Sequence, residues 1–143
     1  MRLELSKNFT YDELVYSPTA ERLKLDNTPN EKEISYLTRL AKEVLQPIRD
    51  KWGKPIVITS GFRSEKVNKA VGGVKNSQHR LGQAADIKIG SREQNKTLFN
   101  FILNMINKKE ITVGQLIDEY NYSWIHVSLP RIGKTNNQVL HIK

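Results

Sequence analysis

Gln115-Leu116-Ile117-Asp118-Glu119-Tyr120-Asn121-Tyr122-Ser123-Trp124-Ile125-His126-Val127-Ser128 decides how this chain folds. It reads as two strands, Gln115 to Tyr120 and Trp124 to Leu129, joined by a tight turn at Asn121-Tyr122. Side chains alternate along a strand, so Ile125 and Val127 share one face and His126 takes the other, with Trp124. If the chain reverses through Tyr120 to Ser123, Glu119 lies opposite Trp124 and Ile117 opposite His126. Cross-strand partners share a face, so Glu119 joins His126 while Asp118 points away. A slip of one residue would exchange Glu119 and Asp118.

Working outward, Ala84-Ala85-Asp86-Ile87-Lys88-Ile89 and Pro55-Ile56-Val57-Ile58-Thr59 read as two more strands. Between them, Ser64 caps a short helix to Val71, stopped by Gly72-Gly73, and Val74 to Gln78 forms a polar loop. Ser91 with Gln94 opens a helix with an apolar face of Leu98, Phe99, Phe101, Ile102, Met105 and Ile106. Lys108-Lys109 suits its C-terminus. Nearer the N-terminus, Thr10 with Glu13 caps a short helix, and Thr28-Pro29-Asn30-Glu31 starts a long one with Thr28 as N-cap. Ile34, Leu37, Leu40, Ala41, Val44, Leu45, Ile48 and Trp52 follow helical spacing there. Pro47 should kink that helix or end its regular part, and Gly53 and Pro55 terminate it. The expected fold is α+β: one domain over residues 1–143, with residues 1–54 mainly helical. Residues 55–143 hold a small, mainly antiparallel sheet with helices packed against it.

The 143 residues carry 23 Lys and Arg against 15 Asp and Glu, net +8, and no cysteine. Without cysteine there is no disulfide scaffold, zinc finger, iron–sulfur site or thiol nucleophile, and any metal must be held by His and carboxylate. Hydrophobic residues at 38% suit a soluble globular domain and argue against wholesale disorder. No run approaches the ~18 apolar residues of a membrane span. Met1-Arg2-Leu3-Glu4-Leu5-Ser6-Lys7 lacks the apolar stretch of a signal peptide, which predicts synthesis in the cytoplasm. Residues 1–50 hold 8 basic and 9 acidic side chains, whereas residues 51–143 hold 15 and 6. Attraction for an anionic partner therefore resides in the later two-thirds.

Two of the three histidines stand in informative places. His79 lies in the loop Ser77-Gln78-His79-Arg80-Leu81-Gly82, seven residues before Asp86, with Gly82, Ala84 and Ala85 permitting close backbone approach. His126 sits inside its strand. Two imidazoles and a carboxylate compose a three-ligand site with an open fourth position, the form of a catalytic zinc site. On spacing alone the bland alternatives stand: a satisfied core histidine, and an Asp86 that caps a turn or pairs with a lysine. His141, near the C-terminus, reads as structural or solvent-facing.

Ser60-Gly61-Phe62-Arg63-Ser64, then Ser77-x-His79-x-x-Gly82-x-Ala84-x-Asp86, then Trp124-x-His126-Val127-Ser128 occur in an order that resembles one family. It comprises the zinc peptidases of peptidoglycan stem peptides, including D-alanyl-D-alanine carboxypeptidases and phage L-alanyl-D-glutamate endopeptidases, with a Hedgehog/D,D-peptidase-like fold. Asn8-Phe9-Thr10-x-x-Glu13-Leu14 and Asp26-Asn27-Thr28-Pro29 are similar to one branch, so the likeness spans nearly the whole chain. The resemblance implies one zinc ion held by His79, Asp86 and His126. It implies that Arg63 steadies an oxyanion or clamps a carboxylate, and that Ser77 contacts substrate; a loop-closing hydroxyl is the competing reading of Ser77. Many members carry an acidic general base three positions before the last histidine, where this chain has Ser123. A branch with a Gln-x-Ile-x-Glu strand places the base where Glu119 stands, so Glu119 is expected to be catalytic, with Asp118 as the alternative. Trp124 is expected to wall the substrate cleft.

The implied protein is a monomeric zinc metallopeptidase cutting peptidoglycan peptides, as a carboxypeptidase or an endopeptidase, and acting at the bacterial cell wall in the manner of a phage or prophage endolysin. The alternative is a catalytically weak or inactive peptidase-like module that binds cell wall. Nucleic acid is not an expected partner: no helix-turn-helix, zinc finger or aromatic-basic motif accompanies the charge.

Overall fold

The computed structural model describes residues 3–143. Met1 and Arg2, the start of the segment read as lacking an apolar leader, lie outside the described residues. A two-stranded ribbon, β1 (Glu4–Ser6) with β2 (Phe9–Thr10), opens the chain. Helix α1 (Tyr11–Val15) follows, with the expected capping box between Thr10 and Glu13. Helix α2 (Pro18–Leu23) carries Ser17 as N-cap and Pro18 in its first turn, a start signal the sequence reading passed over.

The long helix begins two residues later than expected. Asn30, not Thr28, is the N-cap of α3 (Glu31–Leu40), and Glu33 completes its capping box. Thr28 instead donates both its N–H and its hydroxyl to Asp26, which holds the Asp26 carboxyl below its ordinary range. The tertiary structure favours the later start: Glu33 also receives Arg80 at 2.7 Å, so the first turn of α3 clasps the segment that bears His79. Pro47 does not end the helix. Ala41–Leu45 forms a π-helical turn that leads into α4 (Gln46–Trp52), with the Gln46 N–H reaching back to the Ala41 carbonyl. Proline offers no N–H and crowds the carbonyl four residues earlier; widening the preceding turn absorbs that conflict.

The main sheet runs β3-β4-β6-β5-β7, from β3 (Val57–Ser60), β4 (Ala84–Lys88), β5 (Gln115–Glu119), β6 (Trp124–Ser128) and β7 (Gln138–Ile142). Three pairings are antiparallel, and β5 with β7 is parallel. Strand β7 lies beyond the strands expected from the sequence. Helix α5 (Glu65–Ala70) keeps its Ser64 cap, and α7 (Arg92–Asn107) its Ser91–Gln94 capping box. The loop reading of His79 is corrected: it lies in α6 (Gln78–Leu81), a single turn capped by Ser77 and closed by Gly82. Fold class α+β therefore stands.

One sheet face carries Ala85, Ile87, Leu116, Ile125 and Val127, all fully buried. They join Leu37, Leu40, Val44 and Ile48 of the long helix and Leu98, Phe99 and Ile102 of α7 in one core. The other face is left to carry polar groups. Among the described residues, no helix is long and apolar enough to cross a membrane.

Candidate metal centre

Register brings the polar face together. Asp86 in β4 pairs directly with His126 in β6, and His126 pairs with Ile117 in β5. On the outer side Ser60 of β3 faces Asp86. The hairpin has the expected register, Glu119 opposite Trp124 and Asp118 opposite Ile125. Glu119 consequently shares the His126 face, with Oε2 at 3.9 Å from His126 Nδ1. Asp118 points to the other side, where it is buried and bonded to His141 of β7. Ser123 sits in the turn, donating to the Tyr120 carbonyl and accepting from Arg92.

His79 arrives from α6. Its Nδ1 lies 2.8 Å from the Gly61 carbonyl, which can only accept, so Nδ1 carries a proton and Nε2 is the nitrogen turned to the site. That Nε2 faces Asp86 Oδ1 at 3.2 Å. His126 Nδ1 meets the same oxygen at 3.1 Å, and its Nε2 is buried with no hydrogen-bond partner among the described residues. At 3.2 Å the two atoms can share a proton, as an imidazolium–carboxylate pair, or a metal cation. One donor atom from each residue lies within 4.8 Å of the others, and all three residues are buried. Ligand atoms around a tetrahedral zinc stand ~3.3 Å apart for bonds of about 2.0–2.1 Å, so the trio fits such an ion. Burial alone would raise the Asp86 pKa. The His79 and His126 imidazoles outweigh it and hold the carboxyl well below the ordinary range.

The turn after β3 fixes both His79 and Arg63. The Arg63 N–H bonds the His79 carbonyl at 3.0 Å, and the Phe62 N–H bonds the Leu14 carbonyl at 2.7 Å. Gly61 lies so close that a Cβ there would stand 2.3 Å from the Leu14 oxygen. Asn27 braces the same turn, donating to the Val15 and Phe62 carbonyls and accepting from the Ser64 N–H. The Arg63 guanidinium donates to Ser60 Oγ at 3.2 Å and Asn68 Oδ1 at 3.3 Å, and lies 3.5 Å from Asp86 Oδ2. An arginine has five N–H donors, so capacity for one further oxyanion or carboxylate remains. Asn68, buried and also bonded to the Val74 carbonyl, links the guanidinium to the following loop. The sequence reading missed Ser60, Asn68 and Asn27. Only their contacts identify them, since each partner lies on another element or loop.

A cleft of about 510 Å3 opens over this row. Arg63, Asp86, Glu119, Tyr120 and Trp124 line it, with Tyr16 to Thr19, Val67 and Gly72-Gly73. The Ser77 hydroxyl accepts the His79 N–H at 3.2 Å, which is the loop-closing position. The close approach at Gly82 is to α3: a Cβ there would stand 2.6 Å from the Glu33 carbonyl oxygen.

A family model for peptidase M15 matches residues 7–128. The chain belongs to the peptidase M15 family. Within this family it is similar to the zinc D-Ala-D-Ala carboxypeptidase of Streptomyces albus G, with 49% identity over 49 residues. That match covers 34% of this chain and 19% of the relative. The peptidase M15 match spans every site residue from Ser60 to Ser128, whereas β7 and His141 lie beyond it.

Proposed function

We propose that the protein is a zinc metallopeptidase that hydrolyses peptide bonds in peptidoglycan stem peptides, within a single domain spanning residues 1–143. The convergence of His79 Nε2, Asp86 Oδ1 and His126 Nδ1 beneath a cleft flanked by Glu119 carries this reading. Membership of the peptidase M15 family and the similarity to a carboxypeptidase named for zinc and D-Ala-D-Ala support it. His79, Asp86 and His126 would hold one zinc ion. When bound, zinc supplies Lewis acidity, polarising a carbonyl and making water more acidic.

Glu119 accepts a proton from the attacking water and returns it to the leaving amine. Arg63 directs its uncommitted N–H groups at the developing oxyanion or at a substrate carboxylate. Trp124 and Ser77 are the proposed substrate contacts, Trp124 along the cleft and Ser77 through the α6 turn it caps. The reaction is a carboxypeptidase or endopeptidase cleavage at the cell wall, as in an endolysin of phage type, by a monomer. A wall-binding module without catalysis would not need Glu119 on the metal face, and the paired register disfavours it.

Purified sacculi incubated with the protein, with and without chelator, test this by mass spectrometry of the released muropeptides. New peptide termini that vanish on chelation and with His79→Ala are expected. Sacculi that are bound but uncut would replace this reading with the binding module.

A further inference from the structure

The β5–β6 turn is built in an unusual backbone. Tyr120, Asn121 and Tyr122 all have positive φ, at 51°, 56° and 61°. Only Asn tolerates this region readily, and each tyrosine there costs free energy that its surroundings must offset. The surroundings are correspondingly thorough. Asn95, fully buried in α7, donates to the Tyr122 and Ser123 carbonyls. The Ser123 hydroxyl donates to the Tyr120 carbonyl, and the Tyr120 N–H to the Ile142 carbonyl. The Tyr122 ring packs edge-on against Phe99 at 5.5 Å.

All this bracing leaves Tyr120 54% exposed. It lines the cleft next to Glu119, its ring centroid 5.1 Å from that of Trp124 and its ring plane inclined by 59°. The two rings make an open corner with apolar faces, beside the charged groups that line the cleft.

We infer that Tyr120 is a substrate-contact residue, which with Trp124 forms an aromatic subsite for an aliphatic C–H face of the substrate. The inference rests on the peptidoglycan-peptidase reading of the same cleft. Two parts of a wall fragment present that chemistry: the methyl of an alanyl residue and the C–H face of a pyranose ring. Aromatic rings take either without needing a directional polar partner.

The test uses the Glu119→Gln background, so binding is read without turnover. Trp124 fluorescence is titrated with a soluble stem pentapeptide and, separately, with the corresponding disaccharide-pentapeptide; Trp52, packed against Phe101, is replaced by Phe to isolate the signal. Tyr120→Gly should weaken binding about three- to tenfold, the scale of one aromatic contact. Its melting temperature should hold or rise, because glycine accepts positive φ. Tyr120→Phe should bind as the parent does. A loss confined to the disaccharide ligand assigns the corner to the pyranose, and a loss with both ligands assigns it to the peptide. Unchanged affinity of Tyr120→Gly for both ligands overturns the inference. Binding that persists while the Glu119-containing protein cuts nothing would instead overturn the peptidase reading and leave this subsite standing.

Discussion

At the scale of single residues, the carboxylates of β5 have opposite surroundings one position apart. Glu119 opens to the cleft; Asp118 is buried against His141. Glu119→Gln should therefore retain zinc and lose about 10²–10⁴-fold in turnover, the span of a lost general base. Asp118→Asn should keep turnover and lower thermal stability, since it replaces the charged acceptor of His141 in β7 with a neutral one. Metal analysis and initial rates on the same preparations separate the two, and the opposite result would exchange their roles. The depressed pKa of Asp86 carries a pH dependence of definite sign. A carboxylate whose folded value lies below its unfolded one stabilises above about pH 4, and that contribution is lost as pH falls through the folded value. In metal-free protein, denaturant midpoints of wild type should approach those of Asp86→Asn as the solution is acidified below about pH 4.

At the scale of elements, the metal row depends on how closely α6 sits against α3. Gly82 closes α6 with φ of +79° and leaves no room for a side chain against the Glu33 carbonyl. Gly82→Ala adds left-handed strain to an overpacked contact, for a combined cost of about 2–4 kcal/mol. The same displacement pulls His79 from Asp86, so zinc affinity should fall together with stability. Urea unfolding and a competitive zinc titration measure the two effects; a variant that loses neither would show that α6 does not depend on this contact. The hairpin makes the complementary case. A turn through Tyr120 to Ser123 predicts the register found, which buries Leu116, Ile125 and Val127 on one face and sets Glu119 on the His126 face, where a slip of one residue would have set Asp118. The N-cap of α3 was not readable, because Thr28 and Asn30 are both competent caps and the choice is made by Glu33 reaching Arg80, 47 residues away.

At the scale of the whole molecule, the proposed ion joins β4, β6 and α6, three separate elements. Ligand binding to the folded state alone adds RT ln(1 + [L]/Kd) to stability. Chelation should lower the melting temperature of wild type and leave His79→Ala unmoved, as read by calorimetry with and without added zinc. The charge distribution gives a second whole-molecule expectation. Residues 51–143 carry net +9 against −1 for residues 1–50, and they hold His79, Asp86 and His126. Adsorption to anionic sacculi should weaken as ionic strength rises past the ~10 Å screening length of 0.1 M salt, while hydrolysis of a small soluble peptide changes much less. A pull-down assay across a salt series, beside peptide kinetics, checks this.

Local chemistry along the chain was enough to determine the helix caps at Thr10, Ser64 and Ser91, the alternation that sets Glu119 and Asp118 on opposite faces, and the exclusion of cysteine-based sites. Each depends on composition, on residues within a few positions of one another, or on the two-residue period of a strand. The tertiary structure alone decided the rest. It selected Asn30 over Thr28, turned the His79 loop into a capped helix, and added β7 in parallel beside β5. It also surrounded Arg63 with Ser60, Asn68 and Asp86. These outcomes follow from contacts between distant segments, whose free energy comes from desolvation and shape complementarity that no local pattern of residues encodes.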